Sequence, residues 1–255
     1  MRYDRGMPPQ GPARGVWRLT PAIKWIMIAN SAIYVLTLLT FHWFRTDFMV
    51  IHFSLTPERF IPGLELWQPL TYMWMHSPTD PSHLVFNMFG LWMFGTLLED
   101  RWGKKGLLKF YVLTGALAGL VVVVVGWLTG KADTLTLGAS GGIFAVIIAF
   151  GMLFPNMRIF FLGLLPIKAK WLVYATIGIT ILYWLARTPG ISIAAHVGGM
   201  ASAAILISGW WNPFRALRSI RAFFLRRKMR VIESELEERA KRGQGDDDKD
   251  EPIYH

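Results

Sequence analysis

The sequence predicts an all-α, polytopic membrane protein with six transmembrane helices. Three observations predict this fold class. Hydrophobic residues make up 53% of the 255 residues, and aromatic residues make up 14%, including 12 Trp, which is typical of membrane spans with interfacial anchors. The mean hydropathy is +0.35. The apolar residues also cluster into runs of membrane length. The chain has no Cys, which excludes disulfides and thiolate metal sites.

Six apolar runs are candidate spans, since about 20 helical residues cross the hydrocarbon core of a bilayer. The first run follows basic residues, as a signal peptide would, but it is too long and lacks a small-residue cleavage site, so we expect a retained span. The second and fourth runs are short, so we expect helices that begin part-way into the membrane, beside protein or water. The runs are 22–44, 82–98, 107–129, 138–154, 171–187 and 192–211.

The basic residues predict the orientation of these spans. The net charge is +10, and 23 of the 27 Lys and Arg residues fall in segments on one side of the spans, together with both termini. By the positive-inside rule, both termini are predicted to be cytoplasmic. The excess of positive charge is then mostly a feature of topology, and no nucleic-acid partner is expected.

Three regions lie outside the predicted spans. Residues 1–20 are predicted to form a flexible N-terminal arm, and residues 21–211 the membrane domain. Residues 212–255 are predicted to form a basic juxtamembrane helix on anionic lipid headgroups, followed by an acidic, disordered tail. The link at 45–81 is too apolar for water and too broken by Pro and Gly to cross the membrane. It is either half-embedded at the interface or an ordinary structured loop, and the sequence does not distinguish the two.

Ser140 is a candidate nucleophile. It lies in Gly138-Ala139-Ser140-Gly141 at the start of an apolar run, so we expect it near a helix N-terminus. Free backbone N–H groups and the positive end of the helix dipole would there stabilise an oxyanion. Flanking glycines would allow a sharp turn and the close approach of a substrate. The alternative is simple helix packing, since small residues pack membrane helices generally.

His196 is the candidate base. Gly199 and Ala203 follow it on one helix face, and the run that starts near Ser140 has a matching face of small residues at Gly141, Ala145 and Ala149. Two such faces let helices approach closely, which could bring Ser140 within hydrogen-bond reach of His196. A neutral imidazole could then accept the serine proton. The alternative is a polar side chain that merely bridges helices.

His83 and Asn87 are four residues apart, on one face of the second run. Their side-chain donors are what an oxyanion would need beyond a backbone N–H. The competing hypothesis is a zinc site formed by His83, His196 and His76. The chain has no His-Glu-x-x-His and no intramembrane carboxylate placed as a third ligand, so we expect no metal and no other cofactor.

Together these three motifs resemble the rhomboid family of intramembrane serine proteases, over about residues 20–211. The resemblance implies a six-helix rhomboid-like bundle with Ser140 and His196 as the catalytic dyad. It also implies an oxyanion held by the Ser140 backbone N–H, His83 and Asn87. Phe144 takes the place of an aromatic ring that packs on the catalytic histidine and is often Tyr. The packing residues around this site are expected to be Gly138, Gly141, Phe144 and Gly199.

Two further positions bear on the resemblance. Glu65-Leu66-Trp67-Gln68 resembles the Glu-x-Trp-Arg motif of the family's first loop, which is half-embedded in the outer leaflet, but Gln68 replaces the usual Arg. Any loop contact that needs a cation at that position is therefore in doubt. Glu99 fits a family position with a structural role.

The expected function is intramembrane endopeptidase activity on single-span or polytopic membrane proteins, through an acyl-enzyme on Ser140. The compact six-span core suggests a bacterial inner (plasma) membrane. The main alternative is a catalytically silent rhomboid-like protein that binds membrane clients, although such proteins normally lack the serine or the histidine. A transporter is a third possibility, but no conspicuous charge lies mid-span.

Overall fold

The computed structural model describes residues 18–161, 165–186 and 192–209. Helices make up most of this part of the chain. The described residues up to Ile207 belong to one compact unit. The predicted N-terminal arm, apart from its last three residues, and the basic C-terminal helix with its acidic tail lie outside the described residues.

Helix α1 spans Pro21–Leu38 and continues as a π-helical segment over Leu39–Trp43. Pro21 begins the helix, where its missing N–H would have no intrahelical partner in any case. The next two N–H groups, those of Ala22 and Ile23, donate to the carboxylate of Glu99 at 2.8–3.2 Å. A distant acidic side chain thus caps the first span.

The link between the first two spans folds into short helical pieces, which are α2 (Phe48–Phe53), α3 (Pro57–Phe60), α4 (Gln68–Thr71) and a 3₁₀ turn (Tyr72–Trp74). An isolated antiparallel bridge joins Leu55 to Thr136. The link also exposes large apolar side chains, among them Leu64, Leu66 and Trp67. It is therefore a structured segment, and its immersion in the membrane interface stays a prediction.

Helix α5 spans Pro81–Leu128 and covers the second and third predicted spans. It is broken at Gly103, whose φ of 72° and ψ of 168° are not helical. A side chain at this position would meet open space, so the positive φ is what favours glycine there. The two halves of α5 correspond to the two predicted runs.

Three shorter apolar helices follow, namely α6 (Ser140–Leu153), α7 (Ala169–Leu185) and α8 (Ile193–Ser208). Among the described residues, two helices are long and apolar enough to cross a membrane alone, Pro21–Trp43 and Pro81–Leu128. The helical content is therefore as predicted, whereas the count of six spans stays a prediction.

A β-hairpin departs from the all-α prediction. Strand β1 (Arg158–Phe161) pairs antiparallel with β2 (Leu165–Lys168), and Arg158 lies opposite Lys168. The segment is short, and we expected only a connection between spans. Its Ile159 is buried against the core, and β-branched and aromatic residues of this kind favour a strand.

The core lies between α1, α5 and α6. Its largest fully buried side chains include Ile23 of α1, Leu91, Leu98 and Tyr111 of α5, and Phe150 of α6. Gly95 of α5 lets Ile23 approach so closely that a Cβ at position 95 would overlap the Ile23 side chain. A Cβ at Gly90 of α5 would lie 3.3 Å from the Ile143 side chain of α6, so the start of α6 lies beside the first half of α5, which carries His83 and Asn87.

Candidate functional site

Ser140 is the first residue of α6. The turn before it depends on Gly138, whose φ of 121° is one that L side chains rarely adopt. The Gly138 N–H donates to the Tyr72 carbonyl oxygen at 3.0 Å, which ties this turn to the loop between the first two spans. Ser140 is partly exposed and faces a cavity. It stands at the end of a helix where the first N–H groups have no intrahelical acceptor.

His196 lies opposite Ser140 on α8. Its Nε2 is 3.0 Å from the Ser140 Oγ, although the two residues are 56 positions apart. The imidazole is 8% exposed, and no group in the described part of the chain hydrogen-bonds to its Nδ1. A neutral imidazole with Nε2 unprotonated can accept the serine proton. The arrangement is a Ser/His pair, and among the described residues no third side chain hydrogen-bonds to the imidazole Nδ1.

Backbone contact between α6 and α8 makes this distance possible. A Cβ built on Gly199 would overlap the Gly141 carbonyl oxygen and lie 2.8 Å from its carbonyl carbon. Gly141 is confined as well, since a Cβ there would lie 2.9 Å from the Ala118 Cβ and 3.1 Å from the Tyr72 hydroxyl. These glycines therefore let the two helices touch, as the small-residue faces predicted.

Phe144 stacks on the His196 ring. The ring centroids are 4.1 Å apart and the planes are inclined by 13°. Phe144 lies one turn after Ser140 on α6, so one helix contributes both the hydroxyl and the ring that fixes the imidazole plane. The stack restrains the rotation of His196 about its side-chain bonds.

His83 and Asn87 line the same cavity from the start of α5. A Cβ on Gly138 would lie 2.6 Å from the His83 Nε2 and 3.9 Å from the Asn87 Nδ2. Both donors therefore reach the turn that carries Ser140. The Asn87 Nδ2 also lies 3.2 Å from the Nε2 of His76, a fully buried residue outside the helices.

His76 bears on the zinc hypothesis. Burial, followed by the nearby His83, lowers the pKa of His76 to about 3, so the ring is neutral. Its Nε2 faces the Asn87 amide. Within the described residues, no group of three or more His, Cys, Asp or Glu side chains is arranged to hold a metal ion.

The cavity measures about 900 Å³, which is the size of a typical ligand-binding cleft. One part of its lining is polar and suited to water, and another is apolar, with Phe86, Ile179 and Tyr183 beside Phe144. The polar part comprises Ser77, Asp80, Ser82, Thr134, Thr136 and Ser192. Chemically, the site places a hydroxyl beside an imidazole, with the side chains of His83 and Asn87 near the same turn.

Comparison with known proteins identifies the family. Residues 63–211, more than half of the chain, match the family model described as the Rhomboid domain. The chain belongs to the rhomboid family. RHOMBOID-like protein 12, mitochondrial, of Arabidopsis thaliana is 31% identical over 194 residues, which cover 71% of this chain and 55% of that protein.

Other rhomboid relatives are more distant or match a shorter segment. Rhomboid protein 1, mitochondrial, of Saccharomyces cerevisiae is 31% identical over 135 residues, which cover 51% of this chain and 37% of that protein. The rhomboid protease GlpG of Yersinia pseudotuberculosis is 23% identical over 215 residues, which cover 76% of this chain and 64% of that protein. The chain thus spans about half the length of the curated relatives it matches.

These relatives correct the predicted location. The expectation of a bacterial inner membrane, and with it of cytoplasmic termini, is wrong, because the relatives from Arabidopsis and yeast are named as mitochondrial or chloroplastic proteins. They point to an organellar membrane instead. The distribution of Lys and Arg distinguishes the two sides of a membrane, but it carries no information about which membrane is crossed.

In the first loop of this rhomboid, a residue other than Gln68 supplies the cation. The Gln68 amide donates to Glu65 and accepts from the Thr56 N–H at 2.9 Å. The cation that pairs with Glu65 is Arg59, at 3.0 Å, and the His52 Nδ1 lies 2.8 Å from the same carboxylate oxygen. The replacement at position 68 therefore leaves the loop with a charge-assisted contact from another residue.

Two residues near the site carried no functional signal in the sequence. Tyr72 is fully buried, and its hydroxyl donates to the Gly115 carbonyl at 2.8 Å, while its own carbonyl accepts from Gly138. The sequence indicated His76 only as a candidate zinc ligand. Their partners are separated by between 11 and 66 residues, so no local pattern could reveal them.

Proposed function

We propose that this rhomboid-family protein is an intramembrane serine endopeptidase that cleaves peptide bonds in or next to transmembrane helices of other membrane proteins. The observation that carries the proposal is the 3.0 Å separation between the Ser140 Oγ and the His196 Nε2 at the wall of a 900 Å³ cavity. The Yersinia relative, which is named rhomboid protease GlpG, supports the same class of reaction.

The first half of the reaction forms an acyl-enzyme. The Ser140 Oγ attacks the carbonyl carbon of the scissile bond while the His196 Nε2 accepts the hydroxyl proton. The resulting tetrahedral intermediate collapses when its C–N bond breaks, and His196 returns the proton to the leaving amine. The stacked Phe144 holds the imidazole in the plane that both transfers need.

Negative charge on the intermediate needs donors that are already in place. The Ser140 backbone N–H at the N-terminus of α6 supplies one, and the helix dipole adds to it. His83 and Asn87, which lie beside Gly138, supply side-chain donors. Removal of one such preorganised donor from a comparable site lowers kcat by about 10²–10³-fold.

In the second half of the reaction, water hydrolyses the acyl-enzyme. A water molecule in the polar part of the cavity gives a proton to the His196 Nε2 and attacks the acyl carbonyl carbon. The bond from that carbon to the Ser140 Oγ then breaks, His196 returns the proton to the Oγ, and the new carboxyl end is released. Ser77, Thr136 and Ser192 in the lining provide the hydrogen-bonding surface along which water would enter. Hydrolysis inside hydrocarbon requires such a route.

The apolar helices support a membrane arrangement. Six apolar segments cross or enter the bilayer in the proposed arrangement: α1, the two halves of α5 on either side of Gly103, α6, α7 and α8. The mitochondrial and chloroplastic names of several relatives support an organellar membrane. Substrates would be single-span or polytopic proteins of that membrane.

The test is covalent labelling together with cleavage. The purified full chain in detergent would be treated with a fluorophosphonate probe, and in parallel with a model transmembrane substrate. Ser140→Ala and His196→Ala are the test variants. Ser202→Ala is the matched control, because Ser202 lies on α8 and donates to the Gly198 carbonyl at 2.7 Å, away from the cavity lining.

The expected result is labelling and cleavage by the wild type and by Ser202→Ala, and neither by folded Ser140→Ala or His196→Ala. A labelled peptide that contains Ser140 would identify the nucleophile directly. Well-folded wild type that neither labels nor cleaves any of several substrates would contradict the proposal, and would favour a silent protein that binds membrane clients.

A further inference from the structure

His76 is a buried side chain that the proposed mechanism does not use. It follows the 3₁₀ turn Tyr72–Trp74 and has no exposed surface. Burying an imidazole costs free energy unless its nitrogens find partners. Its contacts show what it does for the site.

Two contacts of the His76 ring are with residues that line the candidate oxyanion site. The Nε2 lies 3.2 Å from the Asn87 Nδ2, and the ring packs edge to face on His83, with centroids 5.1 Å apart at 63°. An amide nitrogen can only donate, so the Nε2 of His76 must be the unprotonated acceptor. The low pKa of His76 agrees with a ring that stays neutral at any working pH.

Asn87 needs such a partner because its amide can present either end to the cavity. The terminal torsion of an asparagine is broad and roughly two-fold. With the nitrogen toward Gly138, the amide offers a donor to the oxyanion. With the oxygen there, it would repel the same charge. The hydrogen bond to His76 uses one N–H of the amide and leaves the other for the substrate.

We propose that His76 is a positioning residue that fixes the orientation of the Asn87 amide, so that its nitrogen faces the oxyanion. This inference rests on the proposed function. His76 touches neither the substrate nor the dyad, and it acts only through Asn87. It therefore takes no part in proton transfer.

The test is a double-mutant cycle between positions 76 and 87 in the full chain. The variants are His76→Phe, which keeps a ring but removes the acceptor, Asn87→Ala, and the two combined. His76→Gln restores an acceptor through its Oε1. The control cycle pairs His76→Phe with Thr96→Val, a buried polar position farther along α5 whose hydroxyl donates to the Trp92 carbonyl. Kinetic constants, the fluorophosphonate labelling rate and thermal stability are measured for each.

His76→Phe is expected to lower kcat by about 10-fold or more with KM changed by less than about 2-fold, since an oxyanion donor acts in the transition state. The loss should be the same at every pH from 6 to 9. In the Asn87→Ala background, His76→Phe should cause no further loss of kcat. In the Thr96→Val background, it should cause the same loss as in the wild type. His76→Gln should recover at least about 3-fold over His76→Phe.

Two results would overturn the inference and leave the proposed function standing. One is an additive loss in the cycle with Asn87. The other is a folded His76→Phe with wild-type kcat. An inactive wild type would instead contradict the proposed function itself, so the two failures are distinguishable. If His76→Phe does not fold, the cycle is measured with His76→Gln instead. Any loss of kcat in that variant must then disappear in the Asn87→Ala background.

Discussion

Gly199 of α8 lies directly against the backbone of Gly141 in α6, so closely that a Cβ at 199 would be 2.8 Å from the Gly141 carbonyl carbon. This contact sets the spacing of the two helices that carry Ser140 and His196. Their 3.0 Å hydrogen-bond distance is therefore a property of helix packing, and not of the two side chains alone.

Gly199→Ala is expected to abolish activity by moving the helices apart. A methyl group has no room, so α8 must shift by several tenths of an ångström or more, and the Ser140–His196 hydrogen bond lengthens. We expect at least a 10-fold loss of fluorophosphonate labelling and about 1–3 kcal/mol of destabilisation from overpacking. Gly178→Ala in α7 is the matched control, since a Cβ there meets open space. Wild-type labelling by Gly199→Ala would contradict this prediction.

Phe144→Leu is expected to slow the chemical step more than it weakens substrate binding. The variant removes the ring stacked 4.1 Å from the His196 ring, and a stack of this kind is worth about 0.5–1.5 kcal/mol. The expected loss in kcat is therefore about 2- to 12-fold. Phe144→Tyr keeps the stack and should retain activity. Kinetics of the two variants on one substrate decide the matter, and equal rates for both would show that the stack has no catalytic value.

Glu65 is expected to make the stability of the first loop depend on pH. Burial raises its pKa, but hydrogen bonds from Arg59 and His52 outweigh burial, and the pKa lies below its ordinary value. A depressed pKa means that the stabilisation is fully present above the unfolded-state pKa, about 4.3, and is lost as pH falls through the lower folded-state pKa.

Thermal unfolding of Glu65→Gln tests this stabilisation. At pH 7 the variant should be less stable than the wild type by about 1–3 kcal/mol. The difference should begin to shrink as the pH falls below about 4.3, where Glu65 of the unfolded chain becomes protonated, and should be lost below the lower folded-state pKa. Glu58→Gln is the control, since Glu58 is exposed in the same loop. A gap between wild type and Glu65→Gln that is constant from pH 7 to pH 3 would contradict the assignment.

Glu99→Gln is expected to destabilise the fold without altering the chemistry. The Glu99 carboxylate accepts from the N–H groups of Ala22 and Ile23 at the start of α1, and an amide group would set its own N–H against one of them. We expect about 1–3 kcal/mol of lost stability. At a temperature where the variant stays folded, kcat should be unchanged, since Glu99 does not line the cavity.

The control for Glu99 is its neighbour Asp100. This residue pairs with Arg18 at the surface, where both side chains are about half exposed, and such pairs contribute about 0–1 kcal/mol. Asp100→Asn should therefore melt within a degree or two of the wild type. Comparable losses of stability in Glu99→Gln and Asp100→Asn would show that the buried cap contributes no more than the surface ion pair.

Much of the helical architecture could be read from the sequence, because hydrophobic runs and their breaks are local. The run at 138–154 became α6 over Ser140–Leu153, and the run at 192–211 became α8 over Ile193–Ser208. The pairing of β1 with β2 was missed, since eight strand residues carry too little pattern to separate a strand from a connection. The identity of the membrane was wrongly predicted, because hydropathy indicates only the length of a span and the Lys and Arg distribution only its orientation.

The sequence by itself determined which residues could carry chemistry: Ser140 at a helix start, His196 beside small residues, and a donor pair at His83 and Asn87. These are local patterns, and the rhomboid family that they resemble was confirmed by the domain match. Whether the residues meet was decided by tertiary structure alone. Contacts such as Gly199 with Gly141 and His76 with Asn87 join distant segments, and their geometry depends on the packing of every helix between them.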